Sequence, residues 1–335
     1  MIHELKTILD KAVENQKKAI RNVLATVVHL DGSSYRKPGV RMLIDEQGTM
    51  TGAVSGGCVE KEILRRAQTV FKTNQSKVMA YDGRYRLGCE GTLYILLEPL
   101  VVTEAFYSAF NEQLAKRIPL KIQSYFQKED EVTGPFGSVV HFDRASSFNI
   151  NENIDTKSAV FEQELQPLFR LLIIGGEHDA VALCKMAALL GWQVDVVTSM
   201  NDPKQVGDFP GANSVVGQSP ETIDFSGLNE QMAVVLMNHS YVQDLRYVVK
   251  LHEHKLRYIG ILGAAKRRER LFNELFEFLP DVSEEFLEQI YTPAGLNIGA
   301  ETPEEIALSI VAEIQVVLKD KTPYSLRKVT GNINV

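Results

Sequence analysis

Residues 171–180 of this 335-residue chain read LLIIGGEHDA, and they decide the fold class. Four consecutive apolar residues are typical of a strand buried on both faces of a parallel sheet. A glycine-bearing turn and a helical pattern follow, the order found at the start of nucleotide-binding α/β domains. Similar apolar runs at residues 192–197, 233–237 and 258–262 alternate with predicted helices. The second half of the chain is therefore predicted to be a Rossmann-like domain with an open parallel sheet.

The turn in this stretch departs from the dinucleotide fingerprint G-x-G-x-x-G/A. Gly175 and Ala180 fit its first and third positions, but Glu177 stands where a glycine normally lets the pyrophosphate approach. Residues 198–200 (TSM), after the next strand, offer no acid for a ribose hydroxyl. We expect a degraded or repurposed nucleotide site, and NAD(P) is not favoured as its ligand.

Ligands of open α/β sheets bind at the carboxyl ends of the strands. Besides Gly175, the cofactor-binding candidates there are His178, His239 and the Arg267/Arg268 pair. A lone histidine at a strand end is more often a hydrogen-bonded structural residue than a catalyst. Cys184, within a predicted helix, is interpreted as core packing.

The first half of the chain shows shorter strands and polar loops. We predict an N-terminal α+β domain with a small mixed sheet and a β-rich extension at residues 1–166, the Rossmann-like domain at 167–318 and a polar tail at 319–335. Residues 144–157 are polar and lack a period, so they are predicted to be a loop. A capping box is predicted at residues 302–305.

Residues 55–60, SGGCVE, join a predicted strand to a predicted helix. Ser55, Gly56 and Gly57 are expected to form a tight turn whose backbone N–H groups bind an anion at the helix start. Cys58 would lie in the mouth of that turn, where a thiol is more thiolate-like. The alternative is a turn followed by a buried cysteine, which is favoured for any isolated motif of this kind.

Cys89 lies in a second glycine-flanked turn, LGCEG at residues 87–91. Together with Cys58 it could hold a soft metal or a sulfur-containing cofactor, or form a reversible disulfide. Zinc is less favoured, because no CxxC or histidine cluster completes four ligands.

A basic loop, RKPGVR at residues 36–41, precedes these turns. Arg36, Lys37 and Arg41 are candidates for gripping a phosphate or carboxylate, since arginine offers a bidentate fork. The alternative is a solvated basic turn.

Composition narrows the function classes. The net charge of −7 argues against nucleic acid as the first partner to consider, and no run of 18 apolar residues suggests a transmembrane helix. Three cysteines argue against a disulfide framework and for a reducing, cytoplasmic location. The first 18 residues form a charged amphipathic pattern rather than a signal peptide.

Several motifs taken together resemble the XdhC/CoxI family, accessory proteins for molybdenum hydroxylases such as xanthine dehydrogenase. In the first half they are residues 32–39 (GSSYRKPG), 55–60 and 87–91. In the second half they are residues 258–263 (YIGILG) and 295–307 (GLNIGAETPEEIA). The motifs occur in the expected order, which makes the resemblance more specific than any one of them.

The resemblance implies a chaperone that binds molybdenum cofactor (molybdopterin), supports its sulfuration and delivers it to an apo molybdenum hydroxylase. It also implies a homodimer and a cysteine desulfurase as partner. Carried over by position, Cys58 and Cys89 would be the sulfur-bearing residues near molybdenum, and Gly56 and Gly57 the backbone cradle. A place for Arg36 near the pterin phosphate is our physical inference.

The sequence departs from the family at Glu90, where a glycine is usual, and at Glu177. Two other functions remain open: an NAD(P)-dependent oxidoreductase with a degenerate site, and a thiol-redox protein using Cys58 and Cys89. Direct xanthine oxidation by this chain is not expected, because no cysteine-rich run is present for iron–sulfur clusters. Such a protein is sometimes labelled after its client.

Overall fold

The computed structural model describes residues 2–33, 37–83, 91–142, 146–151, 153–264 and 266–328. The chain divides into two compact units, residues 1–168 and 169–335, which we call the N-terminal and C-terminal units. Among the described residues, no helix has both the length and the apolar character needed to cross a membrane.

The N-terminal unit contains a five-stranded sheet in the order β3-β2-β1-β5-β4, with every neighbouring pair antiparallel. Its strands are β1 (Asn22–Asp31), β2 (Arg41–Asp45), β3 (Met50–Gly52), β4 (Lys77–Asp82) and β5 (Thr92–Leu100). The sequence had suggested a small mixed sheet here. Direct connections, which reverse the chain, account for the antiparallel pairs β1–β2, β2–β3 and β4–β5.

A second antiparallel sheet follows, in the order β8-β7-β6-β9. It comprises β6 (Leu120–Phe126), β7 (Gly137–His141), β8 (Ser147–Asn149) and β9 (Ala159–Leu165). The short strand β8 lies inside the stretch predicted to be a loop. Three residues are too few to show alternation, so no local pattern marks it as a strand.

Three helices complete this unit: α1 (Ile2–Lys17), α2 (Cys58–Thr73) and α3 (Glu104–Lys116). The apolar stripe of α2, including Ile63, Ala67 and Val70, packs on one face of the five-stranded sheet. Helices α1 and α3 share a separate core with residues of both sheets.

Buried polar contacts also join the two sheets. Glu98 of β5 is fully buried, and its carboxylate accepts hydrogen bonds from the backbone N–H (2.8 Å) and the hydroxyl (2.6 Å) of Ser138 on β7. Burial raises the pKa of Glu98 to about 7. Arg41 of β2 donates to the side-chain oxygen of Gln163 on β9 at 2.6 Å. Ionisable groups therefore bridge the space between the sheets.

The C-terminal unit contains a six-stranded parallel sheet in the order β12-β11-β10-β13-β14-β15. Its strands are β10 (Arg170–Ile174), β11 (Gln193–Thr198), β12 (Ser214–Gly217), β13 (Met232–Leu236), β14 (Tyr258–Ile261) and β15 (Ile290–Tyr291). This is the Rossmann strand order, which confirms the predicted fold class. The strand order reverses between β10 and β13, where ligands of such folds bind.

Helices cover both faces of this sheet. They are α4 (His178–Leu189), α5 (Tyr241–Leu251), α6 (Lys266–Phe278), α7 (Glu284–Glu288) and α8 (Pro303–Leu318). The core with α4 and α8 includes the fully buried Cys184, as predicted, and α5 and α6 pack on the other face. The predicted capping box is present, with Thr302 as N-cap of α8 and Glu305 bonded back to it.

Candidate functional site

Three connections that carry the N-terminal motifs leave the five-stranded sheet at one edge. Because all its neighbouring pairs are antiparallel, β1, β3 and β4 end at this edge and β2 and β5 begin there. We call it the loop edge. Its connections are residues 32–40, 53–57 and 83–91. Arg36 and Cys89 belong to the first and third of these, but both lie outside the described residues.

The described ends of the first and third connections are in contact. The N–H of Gly83 donates to the carbonyl of Gly91 at 3.0 Å, which closes the base of the third connection. A Cβ atom on Gly91 would lie 2.9 Å from the Asp31 carbonyl oxygen and closer still to that of Ser33. Only a glycine allows this approach, so Gly91 brings the two connections together at the loop edge.

Cys58 is the first residue of α2, and its free thiol is exposed. The alternative of a buried cysteine is therefore wrong for this position. The N-cap residue, Gly57, supplies no side-chain hydrogen bond, and a Cβ on Gly56 or Gly57 would meet no atom within 4 Å. Within the described part of the chain, no acceptor bonds the N–H groups of residues 56–58. The helix start is thus open to a ligand.

Glu60, the third residue of α2, closes the base of the loop that precedes the helix. Its Oε1 accepts from the backbone N–H of Ser55 at 2.7 Å and of Val54 at 3.1 Å. The Glu60 side chain is buried, and Ser55 is half-buried. Glu60 was not among the candidate residues predicted from the sequence. The available indication was its position, because glutamate at the third helical residue often bonds back to the chain before the helix.

The basic candidates separate in the structure. Lys37 is exposed at the loop edge. Arg41 is buried, with one guanidinium nitrogen bonded to the Gly39 carbonyl (2.9 Å) and to Gln163. Burial lowers the pKa of Arg41 to about 10. The anion grip predicted for Arg41 gains no support from this position, because its guanidinium joins parts of the same unit rather than facing solvent.

The second candidate site is a crevice of about 450 Å³ in the C-terminal unit. It lies at the carboxyl ends of β10 to β13, and its lining includes Glu177 and His239. His178 is exposed at the first residue of α4. A Cβ on Gly175 would lie 2.6 Å from the Met237 carbonyl oxygen, so this glycine is explained by close packing of two strand ends.

The crevice does not fit the pyrophosphate of a dinucleotide. The N-cap of α4 is Glu177, and Asp179 lies in its first turn, so two carboxylates occupy the helix start that would hold the phosphates. Lys204 is near this turn but pairs with Asp202 at 2.7 Å. The local charges thus oppose NAD(P) binding.

Arg267 holds a buried carboxylate beside the crevice. It donates to Asp244 at 2.6 Å and to the Leu262 carbonyl at 3.1 Å, and Asn238 donates to the second Asp244 oxygen at 2.8 Å. Asp244 is fully buried, and burial raises its pKa to about 6. This network fixes the ends of β13 and β14 against α5. Its key member, Asp244, had no distinguishing mark in the sequence.

The described residues contain no group of three or more His, Cys, Asp or Glu side chains placed to hold a metal ion. A soft metal at the loop edge would therefore depend on Cys58 with groups from the ligand or from undescribed residues.

Both halves of the chain match known protein families. Residues 16–82 match the family described as the XdhC and CoxI family, and residues 171–314 match the XdhC Rossmann domain. A protein of Bacillus subtilis named as a probable xanthine dehydrogenase subunit is 32% identical over 329 residues, which cover 92% of this chain and 96% of that protein.

Two further relatives extend this result. The molybdenum cofactor insertion chaperone PaoD of Escherichia coli is 26% identical over 317 residues, covering 93% of this chain and 88% of PaoD. The crystal structure of a xanthine dehydrogenase from Bacillus halodurans aligns with a TM-score of 0.77 at 26% identity, over 94% of this chain and 97% of that one. The similarity therefore extends through both units.

Proposed function

Because the chain belongs to the XdhC and CoxI family, we propose that it is an accessory protein that binds molybdenum cofactor and delivers it to an apo molybdenum hydroxylase. The relative PaoD, named as an insertion chaperone, supports this role. The observation that carries the proposal is the exposed Cys58 thiol beside the N–H groups of residues 56–58, which have no acceptor among the described residues.

The residues at the loop edge fit such a cofactor. Molybdopterin carries a phosphate, which matches consecutive N–H groups at the start of a 16-residue helix. Its metal and sulfur atoms suit a soft thiolate ligand. The open space at Gly56 and Gly57 lets a bulky group reach the backbone. When bound, the cofactor supplies the molybdenum centre that a client enzyme uses.

In this proposal the chain binds and orients its cargo rather than turning over a substrate. The N–H groups of residues 56–58 hold the phosphate, and the positive end of α2 favours it further. Cys58 presents its sulfur to the metal. Lys37, exposed on the neighbouring connection, adds positive charge. Cys89 and Arg36 remain predictions for the same edge.

Handling of the terminal sulfur, a cysteine desulfurase partner, a homodimer and a cytoplasmic location are further parts of the proposal. They rest on family resemblance. Light scattering of the purified protein tests the dimer, and co-purification with a desulfurase tests that partner.

Cofactor retention by single variants tests the central proposal. The protein is purified from cells that make molybdenum cofactor, and bound pterin and molybdenum are quantified per chain. Cys58→Ala should lose most of both, whereas Cys184→Ala, which alters a buried thiol of the other unit, should keep them. Wild-type cofactor content in Cys58→Ala would exclude Cys58 as a ligand, and absence of cofactor from the wild-type protein would remove the function itself.

The oxidoreductase alternative is not carried forward, because Glu177 and Asp179 occupy the phosphate position. The thiol-redox alternative stays a prediction, since Cys89 lies outside the described residues. Mass spectrometry after mild oxidation tests it through a Cys58–Cys89 disulfide.

A further inference from the structure

We propose that Glu60 is a positioning residue that shapes the cofactor-binding turn and thereby sets the place of Cys58. This inference rests on the proposed function for its ligand, but its structural part can be tested on the protein without cofactor. The observation behind it is the pair of hydrogen bonds from Val54 and Ser55 to one Glu60 oxygen.

The reach of Glu60 differs from that of an ordinary capping glutamate. At the start of α8, Glu305 accepts from the N–H groups of the N-cap residue and of the residue before it. Glu60 instead bonds the second and third residues before its N-cap, Gly57. It therefore closes residues 54–60 into a ring while leaving the N–H groups of 56–58 without an acceptor from the described residues.

This choice of donors has a chemical consequence. The two N–H groups at the base of the ring are taken up inside the protein, and the three at its top stay available to an anion. Glycines at positions 56 and 57 have no side chain to hold their conformation, so an external tie is needed to fix them. The buried Glu60 carboxylate supplies that tie. It thereby determines where α2 begins and where its first residue, Cys58, lies.

The second oxygen of Glu60 takes no part in the ring, because both hydrogen bonds go to Oε1. Oε2 is buried and has no hydrogen-bond partner among the described residues. A buried carboxylate oxygen without a donor destabilises a fold. A glutamine can place its oxygen at the Oε1 position and accept both N–H groups, so Glu60→Gln should preserve the ring, whereas Glu60→Ala cannot.

The test uses a nitroxide spin label on Cys58 in the full chain, with Cys89→Ser to direct labelling. Glu60→Ala should narrow the electron paramagnetic resonance line, because the label gains mobility when the ring opens. Glu60→Gln should restore the spectrum of the parent protein. Glu62→Ala is the matched control, since Glu62 lies on the same helix but pairs with Arg65 and Arg66 outside the ring.

The same variants, with Cys58 unlabelled and Cys89 intact, are then assayed for cofactor retention. Glu60→Ala should retain at least tenfold less than wild type, with Glu60→Gln close to wild type. Hydrogen exchange of other N-terminal-unit peptides checks that the fold persists. An unchanged label spectrum in Glu60→Ala overturns the proposal, as does a mobile label with normal retention. If even the wild-type protein binds no cofactor, the proposed function fails while the spectra still decide whether Glu60 positions Cys58.

Discussion

Replacing Glu98 with glutamine should remove a pH dependence from the stability of the N-terminal unit. Glu98 is fully buried between the two sheets, and both its oxygens accept from Ser138. Desolvation raises the pKa of Glu98 to about 7, against the weaker opposing effects of these hydrogen bonds and the charge of Arg41. The folded unit therefore holds this proton more tightly than the unfolded chain does.

The size of the effect follows from the two titration points. With a pKa of 4.5 when unfolded and about 7 when folded, Glu98 contributes about 3 kcal/mol to the free energy of unfolding at low pH. The contribution is complete below pH 4.5, falls as the pH rises and is lost above pH 7. Glutamine resembles the protonated acid, because its oxygen can accept from one Ser138 group and its amide can donate to the hydroxyl.

Urea unfolding between pH 5 and 8 measures this difference. Pulse-labelling hydrogen exchange at one fixed labelling pH, read by mass spectrometry, separates peptides of the two units. Relative to Glu98→Gln, the wild-type unit should lose about 2–3 kcal/mol across this range. Glu162→Gln, at a half-exposed carboxylate of the same unit, is the control. It keeps Glu98, so it should show the same loss between pH 5 and 8 as the wild-type unit. The reasoning would be refuted if the free energy of unfolding changed equally with pH in the wild type and in Glu98→Gln.

Two further predictions concern a close backbone contact and a buried ion pair. Gly91→Ala should lower the stability of the N-terminal unit by about 1–3 kcal/mol, because the new Cβ would overlap a backbone carbonyl. Gly56→Ala, whose Cβ meets nothing, should change it by less than about 0.5 kcal/mol, and equal losses in the two variants would contradict this account. Asp244→Ala should destabilise the C-terminal unit by about 3–5 kcal/mol, since it leaves Arg267 without its buried partner. Fluorescence of Trp192, the single tryptophan, follows that unfolding, and a loss under about 1 kcal/mol would mean that the pair is dispensable.

Much of the C-terminal fold was readable from the sequence, because local pattern carries it. The run at residues 171–180 shows a buried strand, a turn and a helix within ten positions. The outer strands β12 and β15 escaped detection, since four and two residues show no period of their own. They exist as strands because a longer neighbour offers them a hydrogen-bonding edge.

The candidate site was also predictable only where local sequence pattern determines it. The helix start at Cys58 was predictable, because glycines and helical spacing lie side by side in the chain. The burial of Arg41 was not. Its place in a strand was predictable, but its charge and its neighbour Lys37 favoured a solvent-facing side chain. Instead Arg41, paired with Thr26 on β1, is buried. The contacts of Glu98 likewise depend on tertiary packing that no local pattern shows.

The convergence of three connections at the loop edge also fixes an order of events during synthesis. The Cys58 turn leaves the ribosome before β5, yet β4 can join the sheet only through β5, which lies between it and β1. Until β5 has emerged, the Cys58 turn is present while neither β4 nor β5 has joined the sheet. Such long-range pairing forms late in folding. A nascent chain therefore carries the Cys58 thiol before the sheet beside it is complete. In the proposed function, cargo loading then follows closure of the N-terminal unit.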